Sequence, residues 1–299
     1  MIDVGLVLPQ LGPVVDAAVI KDAAQAAEEM GFAHLWVQDH FLYAVEQEGD
    51  YGGSAAAQPE VYKTVYSPLE TLTWVAAWTS RIRLGTSVLV AGNHWPAQLA
   101  GRLATVDRLS GGRLTAVGLG VGWSYEEHRA VGVDPRTRGQ RVDDFLPALL
   151  ACWQDDPVEY HGEFFDIPRS FIGPKPIRRP RMMSGMWSKA GLRRTAQHYD
   201  LWNPGSMPIA EAAAALAAMN EERPPGKAPL NAVYRVALQS TAGKLLTVEE
   251  IAHRTREAAQ AGFEAVIVET NFCSDITSPQ AWLDKVASLA PILEAGRSS

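Results

Sequence analysis

One segment of the sequence constrains the fold more than any other, because it has the pattern of a complete strand–helix–strand unit. Apolar residues typical of β-strands run over Ile82–Val90 and Arg113–Leu119. Between them, Pro96–Leu109 has apolar residues at helical spacing, a proline in its first turn and a Ser-Gly-Gly stop after it. Two strands joined through a helix pair in parallel. The segment therefore predicts a module of a parallel sheet.

The same alternation continues along the whole chain. Strands are predicted over Ile2–Leu8, Ala33–Val37, Ile82–Val90, Arg113–Leu119, Arg181–Ser184, Asp200–Asn203, Leu230–Gln239 and Phe263–Glu269. Helices are predicted over Asp16–Met30, Leu69–Ser80, Pro96–Leu109, Arg138–Trp153, Ser188–Tyr199, Ile209–Glu222, Thr247–Ala261 and Ser278–Leu293. Eight alternating pairs in 299 residues predict an α/β fold, a single (β/α)8 TIM barrel spanning 1–299.

An open doubly wound sheet is the alternative architecture. It would place a Gly-rich fingerprint in the first strand–helix turn, where this chain has Leu8, Pro9 and Gln10 instead. Two segments fall outside the alternation. Residues 41–66 form a long loop after strand two, which predicts a lid or binding segment. Residues 155–180 are Pro-rich and predict an irregular insertion between strands four and five.

Composition excludes several classes of function. The net charge of −7 argues against a nucleic-acid surface. The sequence has no run of 18 apolar residues, so no membrane span is predicted. It also lacks a charged start followed by a cleavage site, so no secretory signal is predicted. Cys152 and Cys273 fit neither a metal site nor a CxxC motif, which indicates a reduced, cytoplasmic protein.

In a barrel, catalytic groups follow the carboxyl ends of the strands. Asp39 and His40 are the only acid–histidine neighbours at such an end. An imidazole is the usual proton donor or acceptor near neutral pH, and a neighbouring carboxylate or a carbonyl selects its tautomer. A loop histidine held by hydrogen bonds is the alternative. His94 is expected near the pocket, and the remaining histidines are expected in structural or surface positions: His34, His128, His161, His198 and His253.

The strand ends offer little other chemistry. They carry no cluster of metal ligands, no lysine inside an apolar strand, and no histidine after Cys273 in the chain that would activate its thiol. A bound cofactor is therefore expected to perform the reaction. The glycine run 118–122 and the Gly185–Lys189 helix start favour a phosphate-bearing ligand. Ordinary tight turns are the alternative explanation of these glycines.

The chain resembles the bacterial luciferase-like family, and within it the branch of oxidoreductases that use the deazaflavin coenzyme F420. The motifs that carry the resemblance are RIRLGTSVLV, TVDRLSGGR, GxGxGWxxEE, RGQRVDDF, GEFFD, GPKP and DLWNP. The resemblance implies a (β/α)8 barrel with an insertion, a homodimer, and F420 or FMN bound at the mouth of the barrel. In the F420 branch, hydride passes between C5 of the deazaflavin and a substrate.

The resemblance also implies roles for single residues. His40 matches the active-site histidine, Asp39 its acidic neighbour, and Ser87–Val88 a non-prolyl cis peptide behind the cofactor ring. Gly122, Trp123 and Ser188 match phosphate contacts. The full set expected at the cofactor is Asp39, Thr86, Ser87, Val88, Gly120, Gly122, Trp123, Ser184, Gly185, Ser188 and Lys189. Tyr43, His94 and Trp202 are expected to line the substrate pocket, and no metal is expected.

The chain departs from related enzymes at two positions, and these departures limit the substrates and cofactors that are expected. Ala44 and Val121 replace a tryptophan and a glutamate of the F420-dependent sugar-phosphate dehydrogenases, so oxidation of glucose 6-phosphate is disfavoured. Luciferase has an arginine near the position of Val121 that holds the FMN phosphate, and its absence from this chain favours F420. The basic stretch Lys175–Arg181 either contacts an acidic cofactor tail or, as we favour, is a solvated loop.

Three functional hypotheses follow. The first is an F420-dependent oxidoreductase acting on a C=C, C=N or C=O bond, or an alcohol, of a small organic substrate. The second is an FMN-dependent two-component monooxygenase, and the third a non-catalytic flavin-binding barrel. The expected partners are a small-molecule substrate, a second copy of the chain, and a separate reductase that supplies reduced cofactor.

Overall fold

The computed structural model describes residues 1–48, 51, 58–240 and 243–297. Its strands are β1 Asp3–Val7, β2 His34–Val37, β3 Arg83–Val90, β4 Leu114–Gly120, β5 Val158–His161, β6 Asp166–Ser170, β7 Arg181–Ser184, β8 Leu201–Trp202, β9 Asn231–Ala237 and β10 Ala265–Glu269. Its helices are α1 Ala17–Met30, α2 Pro68–Trp78, α3 Pro96–Leu109, α4 Tyr125–Ala130, α5 Arg138–Ala151, α6 Lys189–His198, α7 Ile209–Glu221, α8 Val248–Gln260, α9 Pro279–Ser288 and α10 Ala290–Arg297.

Eight of these strands close into a parallel barrel. The strand order is β1-β10-β9-β8-β7-β4-β3-β2, and β1 pairs in parallel with both β2 and β10. The predicted (β/α)8 barrel is therefore confirmed. Since every barrel strand runs in the same direction, the loops that follow the strands all meet at one end, called the mouth here.

The interior of the barrel is filled by side chains. Trp36 is its largest member and packs with smaller apolar residues from the surrounding strands: Val7, Ala116, Met183, Leu201, Val233, Ala265 and Ile267. A Cβ atom added to Gly5 or Gly85 would lie 2.5 Å from the Trp36 indole. Glycine at both positions therefore makes room for this ring.

A second apolar layer lies between the barrel and its helices, and local signals begin and end these helices. Asp16 caps α1 by accepting a hydrogen bond from Val19 N at 2.8 Å, and Gly31 ends the helix with φ of 93°. Thr247 and Glu250 form the capping box of α8 that their spacing predicts. Local residues therefore set the ends of these two helices.

The structure corrects the element prediction in three places. Residues 155–180 were expected to be irregular, but β5 and β6 pair there as an antiparallel hairpin. A short helix, α4, precedes α5 and is capped by Ser124. The last predicted helix is two helices, α9 and α10, because Pro291 fits the first turn of a new helix better than the middle of an old one.

The long loop after β2 is present but only partly described. A 3₁₀ turn runs over Glu60–Lys63, and Leu11 pairs with Val65. Residues 49–50 and 52–57 of the predicted 41–66 segment lie outside the described residues. Among the helices that the structure describes, none is long and apolar enough to cross a membrane.

Candidate active site at the barrel mouth

The inward-facing side chains change from apolar to polar at the mouth. Five of them form what we call the polar layer: Gln38, Ser87, Asn203, Arg235 and Glu269. They come from β3, β9 and β10 or from the residues just after β2 and β8. This layer lies at the carboxyl ends of the strands, where a barrel carries its chemistry.

Arg235 is the centre of the polar layer. Its Nη2 donates to the Ser87 carbonyl oxygen at 2.5 Å and to Ser87 Oγ at 2.7 Å, and its Nη1 pairs with Glu269. Gln38 Nε2 donates to the same carboxylate at 2.9 Å, and Asn203 Nδ2 donates to Ser87 Oγ at 3.1 Å. The buried Glu269 charge is thus paired and hydrogen-bonded, as a carboxylate in an apolar barrel requires.

The peptide bond between Ser87 and Val88 is cis, as the sequence resemblance implies. Val88 is partly buried against the barrel interior and faces three glycines. A Cβ atom at Gly118, Gly120 or Gly185 would lie 2.8–2.9 Å from a Val88 methyl. The first two glycines of the 118–122 run therefore make room for Val88, and the contact of Gly120 with a cofactor stays a prediction.

His40 is oriented by a residue that the sequence did not indicate. Its Nδ1 lies 2.9 Å from Oε1 of Glu127, the third residue of α4, and both side chains are buried. A carboxylate only accepts hydrogen bonds, so Nδ1 carries the proton and Nε2 is the nitrogen left for proton exchange. Glu127 Oε1 also accepts from Phe41 N at 2.9 Å.

Asp39 does not orient His40, which corrects the expectation drawn from their adjacency. Its Oδ2 accepts from Val90 N at 2.9 Å and lies 2.8 Å from Nε2 of His94. Asp39 therefore ties the end of β2 to the end of β3. His94 is consequently near the mouth, as predicted, but its Nε2 is already engaged.

Aromatic rings surround His40. The ring centroids of Tyr62 and Trp123 lie 4.3 and 5.0 Å from its own, and Tyr51 contacts both of these rings. Burial raises the pKa of Tyr62 well above its ordinary value and also raises the pKa of Tyr51. Both phenols therefore stay protonated at neutral pH. Tyr51 and Tyr62 lie in the predicted loop, but nothing in its pattern singled them out.

The turn after β4 requires its third glycine. Gly122 has φ of 76°, and a Cβ atom there would lie 2.6 Å from Val90 and 2.7 Å from His128. His128 is buried, with Nδ1 2.7 Å from the Ser124 carbonyl oxygen and Nε2 2.9 Å from that of Val121. His128 thus has a structural position, as predicted, and it fixes the path of the chain beside Trp123.

The predicted cofactor contacts in β3, in β7 and at the start of α6 divide into two groups. Ser188 caps α6 by accepting from Gly191 N at 3.1 Å, and both Ser188 and Lys189 are exposed. Ser184 and Thr86 have no exposed surface, and their hydroxyls bond to Thr195 and to Gly118. The prediction that Thr86 and Ser184 contact a cofactor is therefore not supported.

Two of the three predicted substrate contacts stay near the mouth. Tyr43 lies in the loop after β2, where its hydroxyl donates to the Gln58 carbonyl oxygen at 3.4 Å, and His94 is bound to Asp39. Trp202 has no exposed surface, packs between the barrel and its helices, and donates to the Met186 carbonyl oxygen at 3.1 Å. The prediction that Trp202 lines the pocket is wrong, because its side chain points outward from the barrel.

The basic stretch 175–181 lies away from the mouth, since it leads into the amino end of β7. Lys175, Arg179 and Arg181 pair with Asp156, Asp200 and Glu264. These pairs favour the interpretation of a surface loop over contact with an acidic cofactor tail.

Burial, and then the hydrogen bond to Asp275, raises the pKa of Cys273 to about 12, so its thiol is a poor nucleophile. Within the described ranges, no three potential ligands gather into a metal site.

Comparison with known proteins shows which proteins this chain is similar to. A sequence model described as luciferase-like monooxygenase matches residues 6–242. An uncharacterized protein of Mycobacterium tuberculosis is 33% identical over 184 residues, a match that covers 60% of this chain and 65% of that protein. The chain therefore spans slightly less than two thirds of the length of this relative.

The names of two further relatives state an activity. The F420-dependent glucose-6-phosphate dehydrogenase of Kineococcus radiotolerans is 32% identical over 163 residues, covering 52% of this chain and 43% of that protein. The oxygenase component of the flavin-dependent trigonelline monooxygenase of Acinetobacter baylyi is 36% identical over 116 residues, covering 38% and 32%.

Solved structures share the fold at low identity. Monooxygenase RslO1 from Streptomyces bottropensis aligns with a TM-score of 0.74 and 19% identity over 98% of this chain and 99% of that chain. An F420-dependent secondary alcohol dehydrogenase, solved in complex with an F420–acetone adduct, aligns with a TM-score of 0.74 and 13% identity over 99% of both chains. At these identities the likeness concerns the fold alone.

Proposed function

Because the chain belongs to the luciferase-like monooxygenase family, we propose that it is an F420-dependent oxidoreductase acting on a small organic substrate. The observation that carries the proposal is the hydrogen bond between His40 and Glu127, which lies at the same mouth as the Ser87–Val88 cis peptide. A buried carboxylate that orients a histidine is the arrangement by which proteins prepare a proton donor or acceptor.

The residues of the mouth fit a flat ring with apolar faces and polar edges. Val88 presents methyl groups above the barrel interior, and Trp123 and Tyr62 add aromatic surface next to His40. The side chain of Arg235 is 15% exposed and holds the Ser87 hydroxyl beside this surface. Ser188 and Lys189 at the start of α6 would hold an anionic stem. When bound, F420 would supply or accept a hydride at C5.

His40 would move the proton that accompanies this chemistry. Glu127 keeps Nδ1 protonated, so Nε2 gives a proton to the substrate or takes one from it. The phenol of Tyr62 and the indole of Trp123 pack on the imidazole, and Tyr51 packs on both of these rings, so that the three would limit the access of water. The same side chains would serve either direction of hydride transfer.

A flavin-dependent monooxygenase is the second candidate, and the trigonelline monooxygenase component supports it. The F420-dependent relative supports the first candidate at similar identity. Val121 decides our preference. It is partly buried at the mouth and has no charge, whereas luciferase has near this position an arginine that holds the FMN phosphate.

The test is a fluorescence titration of the purified protein with F420 and with FMN, followed by turnover assays. F420-dependent chemistry predicts binding of F420 and bleaching or recovery of its absorbance with a panel of enones, imines, ketones and alcohols. Oxygen uptake with reduced FMN, without a response to F420, would support the monooxygenase instead. Binding with no turnover of any substrate would support a non-catalytic barrel.

Variants of two histidines separate the role of His40 from general damage. His40→Asn is expected to bind the cofactor with similar affinity and to lower turnover about 10²–10⁴-fold, the usual contribution of a general acid or base. His253→Asn is the matched control, because His253 lies on the outer face of α8 with its side chain 64% exposed. Unchanged turnover in His40→Asn would remove this residue from the mechanism.

We also propose a homodimer and a separate reductase as partners, together with a cytoplasmic location. The exposed Trp74 and Trp78 of α2 lie against each other on the surface and support an apolar contact between copies. Light scattering on the purified protein tests the dimer. Dependence of turnover on added reductase and its reductant tests the second partner.

A further inference from the structure

The polar layer contains a hydroxyl hydrogen that has no acceptor among the described residues. Ser87 Oγ accepts hydrogen bonds from Arg235 Nη2 at 2.7 Å and from Asn203 Nδ2 at 3.1 Å. Both nitrogens are donors only. The Asn203 amide has a definite orientation, because Gly205 N donates to its Oδ1 at 2.8 Å. Ser87 must therefore direct its own O–H toward a third atom.

Arg235 holds Ser87 at both its backbone and its side chain. The same Nη2 that bonds to Oγ donates to the Ser87 carbonyl oxygen at 2.5 Å. The guanidinium is itself fixed by Glu269, whose carboxylate also accepts from Gln38 Nε2 and from Asn271 N, each at 2.9 Å. A planar guanidinium with fixed donor directions restrains what it binds more than an ammonium does.

We propose that Arg235 is a positioning residue that fixes the Ser87 hydroxyl as a hydrogen-bond donor to the polar edge of the bound cofactor ring. This inference rests on the proposed function. The rings of both FMN and F420 carry carbonyl oxygens along one edge, and these atoms accept hydrogen bonds. The positive charge of Arg235 polarises the hydroxyl that it contacts, which strengthens the bond that the hydroxyl donates.

The location of Ser87 fits this role. Its neighbour Val88 is partly exposed at the mouth and packs on the interior cluster, so Ser87 lies at the rim of the apolar surface that faces a ligand. Ser87 itself is 3% exposed, and it is held by residues from β9 and from the segment after β8. A donor anchored from two sides has lost its rotational freedom before the ligand arrives.

The experiment compares the affinity of oxidised F420 and oxidised FMN for the full chain and its variants, in the absence of substrate. Ser87→Ala is expected to weaken binding about tenfold, the value of one well-placed hydrogen bond. The double variant Arg235→Met with Glu269→Gln is expected to cause the same loss of affinity. Adding Ser87→Ala to this double variant, which gives the triple variant, is expected to cause no further loss, because Arg235 acts through Ser87. Changing both residues avoids leaving the Glu269 carboxylate buried and unpaired. Arg235→Lys keeps the positive charge and is expected to retain part of the affinity that the double variant loses.

A spectroscopic readout distinguishes positioning from general damage. Loss of a hydrogen bond to a ring carbonyl shifts the absorption maximum of the bound cofactor, so Ser87→Ala and the Arg235–Glu269 double variant are expected to give the same shift. Arg83→Met combined with Asp3→Asn is the matched control, because this pair lies at the opposite end of the barrel with its charged atoms 2.6 Å apart. The control is expected to change neither the affinity nor the spectrum.

Two results would overturn the inference while leaving the proposed function intact. One is a Ser87→Ala variant that binds the cofactor as tightly as the wild type, since the hydroxyl would then serve the substrate or a water molecule. The other is a triple variant whose losses add, since Arg235 would then act independently of Ser87. A wild-type protein that binds neither cofactor would overturn the proposed function together with this inference.

Discussion

Acid should destabilise this protein through one buried histidine, His34. The residue begins β2, is 4% exposed, and its Nδ1 has no hydrogen-bond partner in the described part of the chain. Burial, and then the positive charge of Arg83, lowers the pKa of His34 from 6.5 to about 3. The unfolded chain therefore binds a proton more readily than the folded protein does. Folding stability is fully present above pH 6.5 and is lost as the pH falls toward 3.

The size of the effect follows from the width of this interval. Each pH unit below 6.5 costs about 1.4 kcal/mol for one such group, so pH 5 costs the wild type about 2 kcal/mol through His34. For a chain of 299 residues, unfolding entropies of about 2.1 cal/mol/K per residue convert this loss into a shift of about 3 °C in Tm.

The assay compares Tm by calorimetry at pH 7.5 and pH 5.0 for the wild type and for His34→Leu. Leucine has a similar size and does not titrate, so the variant should lose about 3 °C less than the wild type on acidification, whatever its stability at neutral pH. His253→Leu on the exposed face of α8 is the control and should behave like the wild type. Equal losses in the wild type and His34→Leu would refute the reasoning.

Three further predictions concern stability and are measured by urea unfolding at neutral pH. Glu127→Ala should lower the free energy of unfolding by about 2–4 kcal/mol, because His40 Nδ1 and Phe41 N lose their acceptor. Glu127→Gln keeps an accepting oxygen and should lower it by about 1 kcal/mol. Equal losses in the two variants would contradict the role of Glu127 as this acceptor. Gly85→Ala should lower the free energy of unfolding by about 1–3 kcal/mol, because its Cβ would lie 2.5 Å from the Trp36 ring. Gly101→Ala should raise it by about 0.5–1 kcal/mol, because this position is inside α3 and an added Cβ would have nothing within 4 Å. Thr247→Ala should cost about 1 kcal/mol by removing the cap of α8, while Thr247→Ser should cost little.

Local signals accounted for most of the barrel. The structure has α3 at Pro96–Leu109 and β7 at Arg181–Ser184, the predicted bounds in both cases. Proline, glycine and helical spacing set such elements within a few residues of themselves. The β5–β6 hairpin had no comparable signal, because it depends on Asp144 of α5, which accepts from Phe164 N at 2.6 Å and from the Tyr160 hydroxyl. Long-range contacts of this kind are not written in the local pattern.

The candidate site was predictable where a motif or a strand end marked it. His40, Gly122, Trp123 and the Ser87–Val88 cis peptide are at the mouth as expected. Arg235 and Glu269 were missed, although each is a charged residue in an apolar strand segment. Such a charge is costly unless it is paired, so the two together would have indicated an ion pair at the level where the barrel interior becomes polar.

The hydrogen bonds of His40 and His94 show why the adjacency of Asp39 and His40 in the sequence does not reveal their partners. Successive side chains of an extended segment point to opposite sides, and here Asp39 reaches the end of β3 and His94 whereas His40 reaches α4. The carboxylate that orients His40 therefore had to come from elsewhere in the chain, and it comes from Glu127, 87 residues away. Since α4 also carries His128, which fixes the turn at Val121, one short helix positions both the proton-transferring histidine and the loop beside it. Substitutions in α4 should consequently act on both parts of the mouth at once.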